Sequence, residues 1–204
     1  MALVLAGTPR WARRQGVSTP VAVAAGVRAL LRTVTGAAER GIEYLTVWEP
    51  GDCGVLSSLG GDTAAIAHTG ARVRALGAAA VATVAPLVAA TAGNHGIGLN
   101  LAVAYDARAE LLRAVRRIAR DVRDGRRGPA VDDETIASYL DTAGLPDPDL
   151  VVRSGGDRRV ADFLPYQIAY SELWSTDVDW PAFEAAHFQE ALETFATRQR
   201  RFGG

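Results

Sequence analysis

Lysine is absent. All 22 basic residues of the 204 are arginine, so chemistry that needs an ε-amino group, a Schiff-base or a P-loop lysine, is excluded. Cysteine is nearly absent as well. The single thiol, Cys53, rules out an intramolecular disulfide and any zinc site built on several cysteines. The three histidines, His68, His95 and His187, are scattered without HExxH or HxH grouping, and nothing marks them as metal ligands. Long apolar runs are missing too: Met1–Ala6 is too short for a signal peptide, and Ala78–Ala92 is broken by Pro86. Net charge is small. The arginines face 23 acidic residues, a net −1, which argues against a nucleic-acid binder and leaves only local basic clusters. The chain reads as a soluble cytoplasmic protein with at most peripheral membrane contact.

What remains is an ordinary globular composition, 49% hydrophobic and 22% charged. Short apolar runs alternate with amphipathic stretches, the signature of an α/β sheet domain. Strands are expected at Leu3–Ala6, Ile42–Trp48, Gly98–Tyr105 and Leu150–Arg153. Val27, Leu30, Leu31 and Val34 fall on one helix face, which Gly41 stops. Asp106 is placed to cap a helix with an apolar stripe Leu111, Val115, Ile118 and Val122; its arginines read as a solvated face. Asp132-Asp133-Glu134 opens a short helix stopped at Gly144, and a last helix is expected from Pro181 towards Arg201. With no linker and no repeat, one domain over 1–204 is the simplest partition.

Two stretches suit an anion. Gly7-Thr8-Pro9-Arg10 follows the opening strand, where ligands of open α/β sheets collect and glycine admits close backbone approach. Arg153-Ser154-Gly155-Gly156-Asp157-Arg158-Arg159 follows a later strand and sets guanidinium forks around a Gly-Gly turn; a solvated turn with surface ion pairs fits its composition equally well. Glu172, between apolar neighbours, is costly unless it meets a cation, which makes it a candidate Mg²⁺ ligand or arginine partner. No second carboxylate obviously completes a metal site.

Several longer stretches carry more. They are Gly7-x-x-Arg10-Trp11-Ala12, Gly41-Ile42-x-Tyr44-Leu45-Thr46, Thr91-Ala92-Gly93-Asn94 and Leu99-Asn100-Leu101-Ala102. Further on come Tyr139-Leu140-x-Thr142-Ala143-Gly144-Leu145-Pro146-Asp147-Pro148-Asp149-Leu150, Arg153-Ser154-Gly155-Gly156-Asp157-x-Arg159, Tyr170-Ser171-Glu172-Leu173 and Arg200-Arg201-Phe202-Gly203-Gly204. Over nearly the whole chain these resemble the cis-prenyltransferase (undecaprenyl diphosphate synthase) family. The resemblance implies a mostly parallel sheet flanked by helices, a dimer, Mg²⁺ dependence and isoprenoid diphosphate substrates. The implied reaction ionises an allylic diphosphate, which the double bond of isopentenyl diphosphate then attacks.

The resemblance transfers residue by residue. The family opens Asp-Gly-Asn-x-Arg, its aspartate holding Mg²⁺ on the diphosphate. Here Ala6 stands at the aspartate and Thr8 at the asparagine, with Gly7 and Arg10 retained. A methyl group coordinates nothing, and loss of such an electrostatic group costs about 10²–10³ in rate. The family's Arg-x-x-Gly-His-x-x-Gly reads Thr19-x-x-Ala22-Val23-x-x-Gly26, and its Ala-Phe-Ser-Thr-Glu-Asn-Trp reads Glu49–Val55. Arg153 and Arg159 match the arginines that bind isopentenyl diphosphate, with Ala161 at the accompanying serine. Glu172 matches the acidic residue that shares Mg²⁺ there. Arg201 and Gly203 match the terminal Arg-x-Gly that reaches into the neighbouring subunit's site. The stretch from Gly51 to Asn94, which in the family holds the helices lining the prenyl tunnel, is short and rich in small residues.

Ala6 therefore leads to an accessory subunit as the first reading: inactive or weakly active alone, it forms a heterodimer or heterotetramer with a catalytic cis-prenyltransferase subunit and donates Arg201 and Gly203 to it. Any Mg²⁺ would be held mainly by that partner. The alternative is an active but divergent short-chain or irregular prenyl diphosphate synthase or cyclase, as a homodimer. A second alternative is a non-enzymatic protein that binds isoprenoid diphosphates.

Overall fold

The computed structural model describes residues 1–51, 53–77 and 80–198. A six-stranded parallel sheet runs through it in the order β3-β4-β2-β1-β5-β6. The strands are β1 (Ala2–Val4), β2 (Tyr44–Trp48), β3 (Arg72–Leu76), β4 (Gly98–Ala102), β5 (Leu150–Arg153) and β6 (Glu172–Ser175). The helices are α1 (Thr8–Gln15), α2 (Thr19–Glu39), α3 (Val55–Ser58), α4 (Thr63–His68), α5 (Ala80–Ala90), α6 (Ala107–Arg123), α7 (Asp133–Tyr139) and α8 (Ala185–Thr197). The expected class, a mostly parallel sheet flanked by helices, is the observed one.

Alternation along the strands builds two cores. Leu3, Leu45, Val47, Leu99, Leu101 and Val152 face a cluster with α2, α3, α4, α5 and α8. Ala2, Val4, Trp48, Ala102 and Val151 face the other way, against Tyr105, Ala107 at the start of α6, Phe163 and Leu164. A parallel sheet covered on both faces needs such near-continuous apolar strands. Among the described residues α2 is long and apolar enough to cross a membrane, but it lies in the first core, with Ala22, Ala29, Leu30, Val34 and Ala37 fully buried.

Some boundaries differ from the sequence reading. β3 and β6 lack a readable pattern: β3 exposes Arg72 and Arg74 at the edge of the sheet, and β6 has four residues, one of them Glu172. β4 stops at Ala102 rather than Tyr105, and Ala104 then takes a left-handed φ of 49°. The last helix starts at Ala185, because Trp180–Ala182 forms a 3₁₀ turn; Glu184 and His187 close a reciprocal cap at the helix start.

The apolar stripe of α6 is also corrected. Asp106 does cap the helix, accepting from the Ala109 N–H at 2.7 Å, but the buried line is Ala107, Glu110, Ala114 and Ile118. Val115 is 62% exposed. Glu110 can face inward because the Tyr105 hydroxyl, the Asp141 N–H and the Gln167 amide all donate to it. Ile118→Ala is therefore expected to cost about 2–5 kcal/mol in urea unfolding, and Val115→Ala less than about 0.5 kcal/mol. Equal costs would restore the stripe read from the sequence.

Candidate diphosphate site

The carboxyl ends of β1, β5 and β6 meet in three short loops. Ser154, directly after β5, is the hinge pin: its Oγ accepts the Ala6 N–H at 2.9 Å and lies 3.1 Å from the Ala6 carbonyl. The Trp180 N–H donates to that same carbonyl at 2.9 Å, and the Gly155 N–H to the Val178 carbonyl at 2.8 Å. A Cβ on Gly155 would stand 2.9 Å from the Ala6 backbone, and its φ of 85° favours glycine besides. The Gly-Gly turn is thus required for packing before any ligand is considered.

α1 starts at this junction. Gly7, at φ 98°, is its N-cap and provides no side-chain cap, which leaves the first-turn N–H groups without acceptors inside the helix. The Thr8 hydroxyl is buried without a hydrogen-bond partner. Arg10 donates from Nε to Asp179 Oδ1 at 2.9 Å, from Nη2 to the same carboxylate, and from Nη2 to the Gly155 carbonyl at 2.8 Å.

Across the junction Arg153 is 4% exposed. Its Nη2 meets Asp157 at 3.2 Å, while Nε and Nη1 have no partner. Burial pushes its pKa below the usual guanidinium value. A buried cation with two unanswered donor nitrogens is a costly arrangement that an anion would relieve. Arg159 lies at the rim, 86% exposed, and forks onto Asp157. That pairing holds the Asp157 carboxyl at about 2, well below the usual carboxylate range.

The structure therefore brings Ala6, Gly7, Arg10 and Arg153 together, with Arg159 beside them. It does not bring Glu172. The register pairs Glu172 with Leu150 and Ser175 with Arg153, so Glu172 sits about 10 Å back along the strand. There it accepts from Arg198. Arg201 and Gly203 lie outside the described residues. Mg²⁺ does not fit the donors of one chain: Ala6 offers a methyl group, Asp179 is taken by arginines, and Glu49 at the end of β2 accepts the Val55 N–H at 3.0 Å. Among the described residues no group of three or more His, Cys, Asp or Glu is arranged to hold a metal ion.

Thr8 was read from the sequence only as part of the Gly7–Arg10 loop, and Asp179 was not read as a site residue at all. Nothing local marks Asp179, which is 169 positions from Arg10. A cleft of about 720 Å³ lies at the opposite end of the sheet, by Tyr44, Arg72, Arg74, His95 and Gly98. It is open, and the unanswered donors of Thr8 and Arg153 are not on it.

A strand-end anion site on a parallel sheet is a common solution in α/β folds. The family described as "Putative undecaprenyl diphosphate synthase" matches residues 57–203. Isoprenyl transferase 2 of Bradyrhizobium diazoefficiens is 36% identical over the whole chain and 89% of its own length. Ditrans,polycis-undecaprenyl-diphosphate synthase of Xylella fastidiosa is 35% identical over the whole chain and 88% of its own length. The chain belongs to the undecaprenyl diphosphate synthase family of prenyltransferases. Among solved structures, lavandulyl diphosphate synthase from Lavandula x intermedia in complex with dimethylallyl diphosphate superimposes with a TM-score of 0.90 and 25% identity, covering 100% of this chain and 97% of that one.

Arg153→Met is expected to leave unfolding stability unchanged or higher, since a buried charge with unmade hydrogen bonds is removed. The same variant should be stabilised less by inorganic pyrophosphate, which then has only the position at α1 and Arg10. The parent protein should gain about 2.7 kcal/mol at a hundred times the dissociation constant. Equal stabilisation of both would remove Arg153 from the site.

Proposed function

We propose that the protein is a short-chain prenyl diphosphate synthase that joins two five-carbon units, acting as a homodimer. The observation that carries this is the end-to-end likeness to a synthase solved with dimethylallyl diphosphate, with almost nothing left over on either chain. The longer relatives differ in size. The alignment to the Bradyrhizobium protein runs over 225 positions, so this chain's 204 residues leave at least 21 without a counterpart. The segment between β2 and β4 holds helices of four and six residues, α3 and α4, before α5. That is little wall for a long prenyl tunnel.

In this reading the first-turn amides of α1, Thr8 and Arg10 take the diphosphate that leaves. Its C–O bond breaks and the electron pair departs with pyrophosphate. Arg153 and Arg159 hold the diphosphate of the second unit, whose double bond supplies the electrons of the new C–C bond. The resulting cation loses a proton, and the released pyrophosphate, held against the arginines, is the nearest base. Such sites work by holding charge where it develops. Glu172 and the tail with Arg201 and Gly203 serve the neighbouring chain's site; Glu172 already lies beside Arg198, just ahead of that tail.

A second reading follows from Ala6: an accessory subunit that donates Arg201 and Gly203 to a catalytic partner holding the Mg²⁺. One experiment separates them. The purified protein is incubated with labelled dimethylallyl diphosphate, alone and with isopentenyl diphosphate, and the dephosphorylated products are resolved by mass. A ten-carbon product with many turnovers is expected. No product alone, with turnover when a catalytic cis-prenyltransferase subunit co-purifies or is added, would establish the accessory role instead.

A further inference from the structure

The chain lacks the loop carboxylate at Ala6 but is not without a carboxylate at this loop. Asp179 arrives from the segment after β6 and lies against Gly7 so closely that a Cβ there would stand 2.1 Å from Oδ1. Its side chain is 3% exposed. Burying a carboxylate is costly unless cations answer it, and two do: Arg10 forks onto Oδ1 through Nε and Nη2, and Arg14 reaches Oδ2 at 3.3 Å.

The geometry points to Asp179 as the residue that positions Arg10 for the diphosphate, delivering from another element an anchoring charge that Ala6 does not provide. This rests on the reading of the α1 start as a diphosphate site. Asp179 makes no contact with the ligand in this role. It fixes the Nε–Nη2 edge of Arg10, and the Gly155 carbonyl takes a further proton of Nη2 at 2.8 Å. The guanidinium is thereby clamped between the loops after β5 and β6. Two arginines against one carboxylate leave the cluster a net positive charge. A long, otherwise free side chain is ordered before the ligand arrives, so less freedom is lost on binding. The arrangement also explains why position 7 is glycine beyond its positive φ: any side chain would expel Asp179.

The test is a double-mutant cycle on the affinity for inorganic pyrophosphate, measured by calorimetry on the full chain, with Arg10→Ala, Asp179→Asn and the double variant. Arg10→Ala and Asp179→Asn are each expected to weaken binding by at least about tenfold, the scale of a charge-assisted hydrogen bond. The double variant should be no weaker than Arg10→Ala alone, because Asp179 acts only through Arg10. Unchanged or tighter binding by Asp179→Asn overturns the inference, and so do additive losses. Arg10→Lys is the second variant, needed where Asp179→Asn does not fold: it keeps the charge but cannot fork onto Asp179, and it should bind as poorly as Arg10→Ala. Parent-like affinity in Arg10→Lys overturns the positioning role. If Arg10→Ala itself leaves binding intact, the diphosphate is not held at this loop and the reading of the site falls as well.

Discussion

The contact between three strand ends is the constraint on which the site depends. The Ala6 carbonyl receives the Trp180 N–H, the Ser154 hydroxyl holds the Ala6 N–H, and Gly155 packs onto Ala6 where no side chain fits. These bonds bring β1, β5 and β6 to one point and fix where α1 begins. Only then do Arg10, on a helix, and Arg153, at a strand end, share a locality although 143 positions of chain separate them. Arg153 illustrates the cost. A guanidinium with two unanswered nitrogens is held out of water by the fold, and the ligand supplies the missing acceptors.

Within one chain the ion pairs at this site join arginine to aspartate. Lysine is a compact point charge, whereas a guanidinium can present one edge to a carboxylate and another to a ligand. Asp157 stands between Arg153 and Arg159, and Asp179 between Arg10 and Arg14. Each carboxylate meets two cations, so both clusters stay net positive and ordered.

The fold class was legible because β1, β2, β4 and β5 are short apolar runs buried on both faces and α2 has a strong helical periodicity. β3 and β6 were hidden by edge arginines and by brevity. The stripe of α6 misled because Glu110 takes an inward position that its hydrogen bonds permit, and Val115 an outward one. At the site, Ala6, Gly7, Arg10, Arg153 and Arg159 could be grouped through the family resemblance, since their spacing in sequence says nothing of their proximity. Glu172 was grouped with them too, but its register places it at the far end of β6. Asp179 was unreadable because its meaning lies wholly in a contact across the fold.

The most direct test is a crystal structure with a non-ionising thio analogue of dimethylallyl diphosphate bound. The expected result is one diphosphate at the start of α1, meeting an Arg10 that is still on Asp179, and a second on the Nε and Nη1 of Arg153. A diphosphate seated instead in the open cleft at the other end of the sheet, on Arg72, Arg74 and His95, would contradict the assignment of the site.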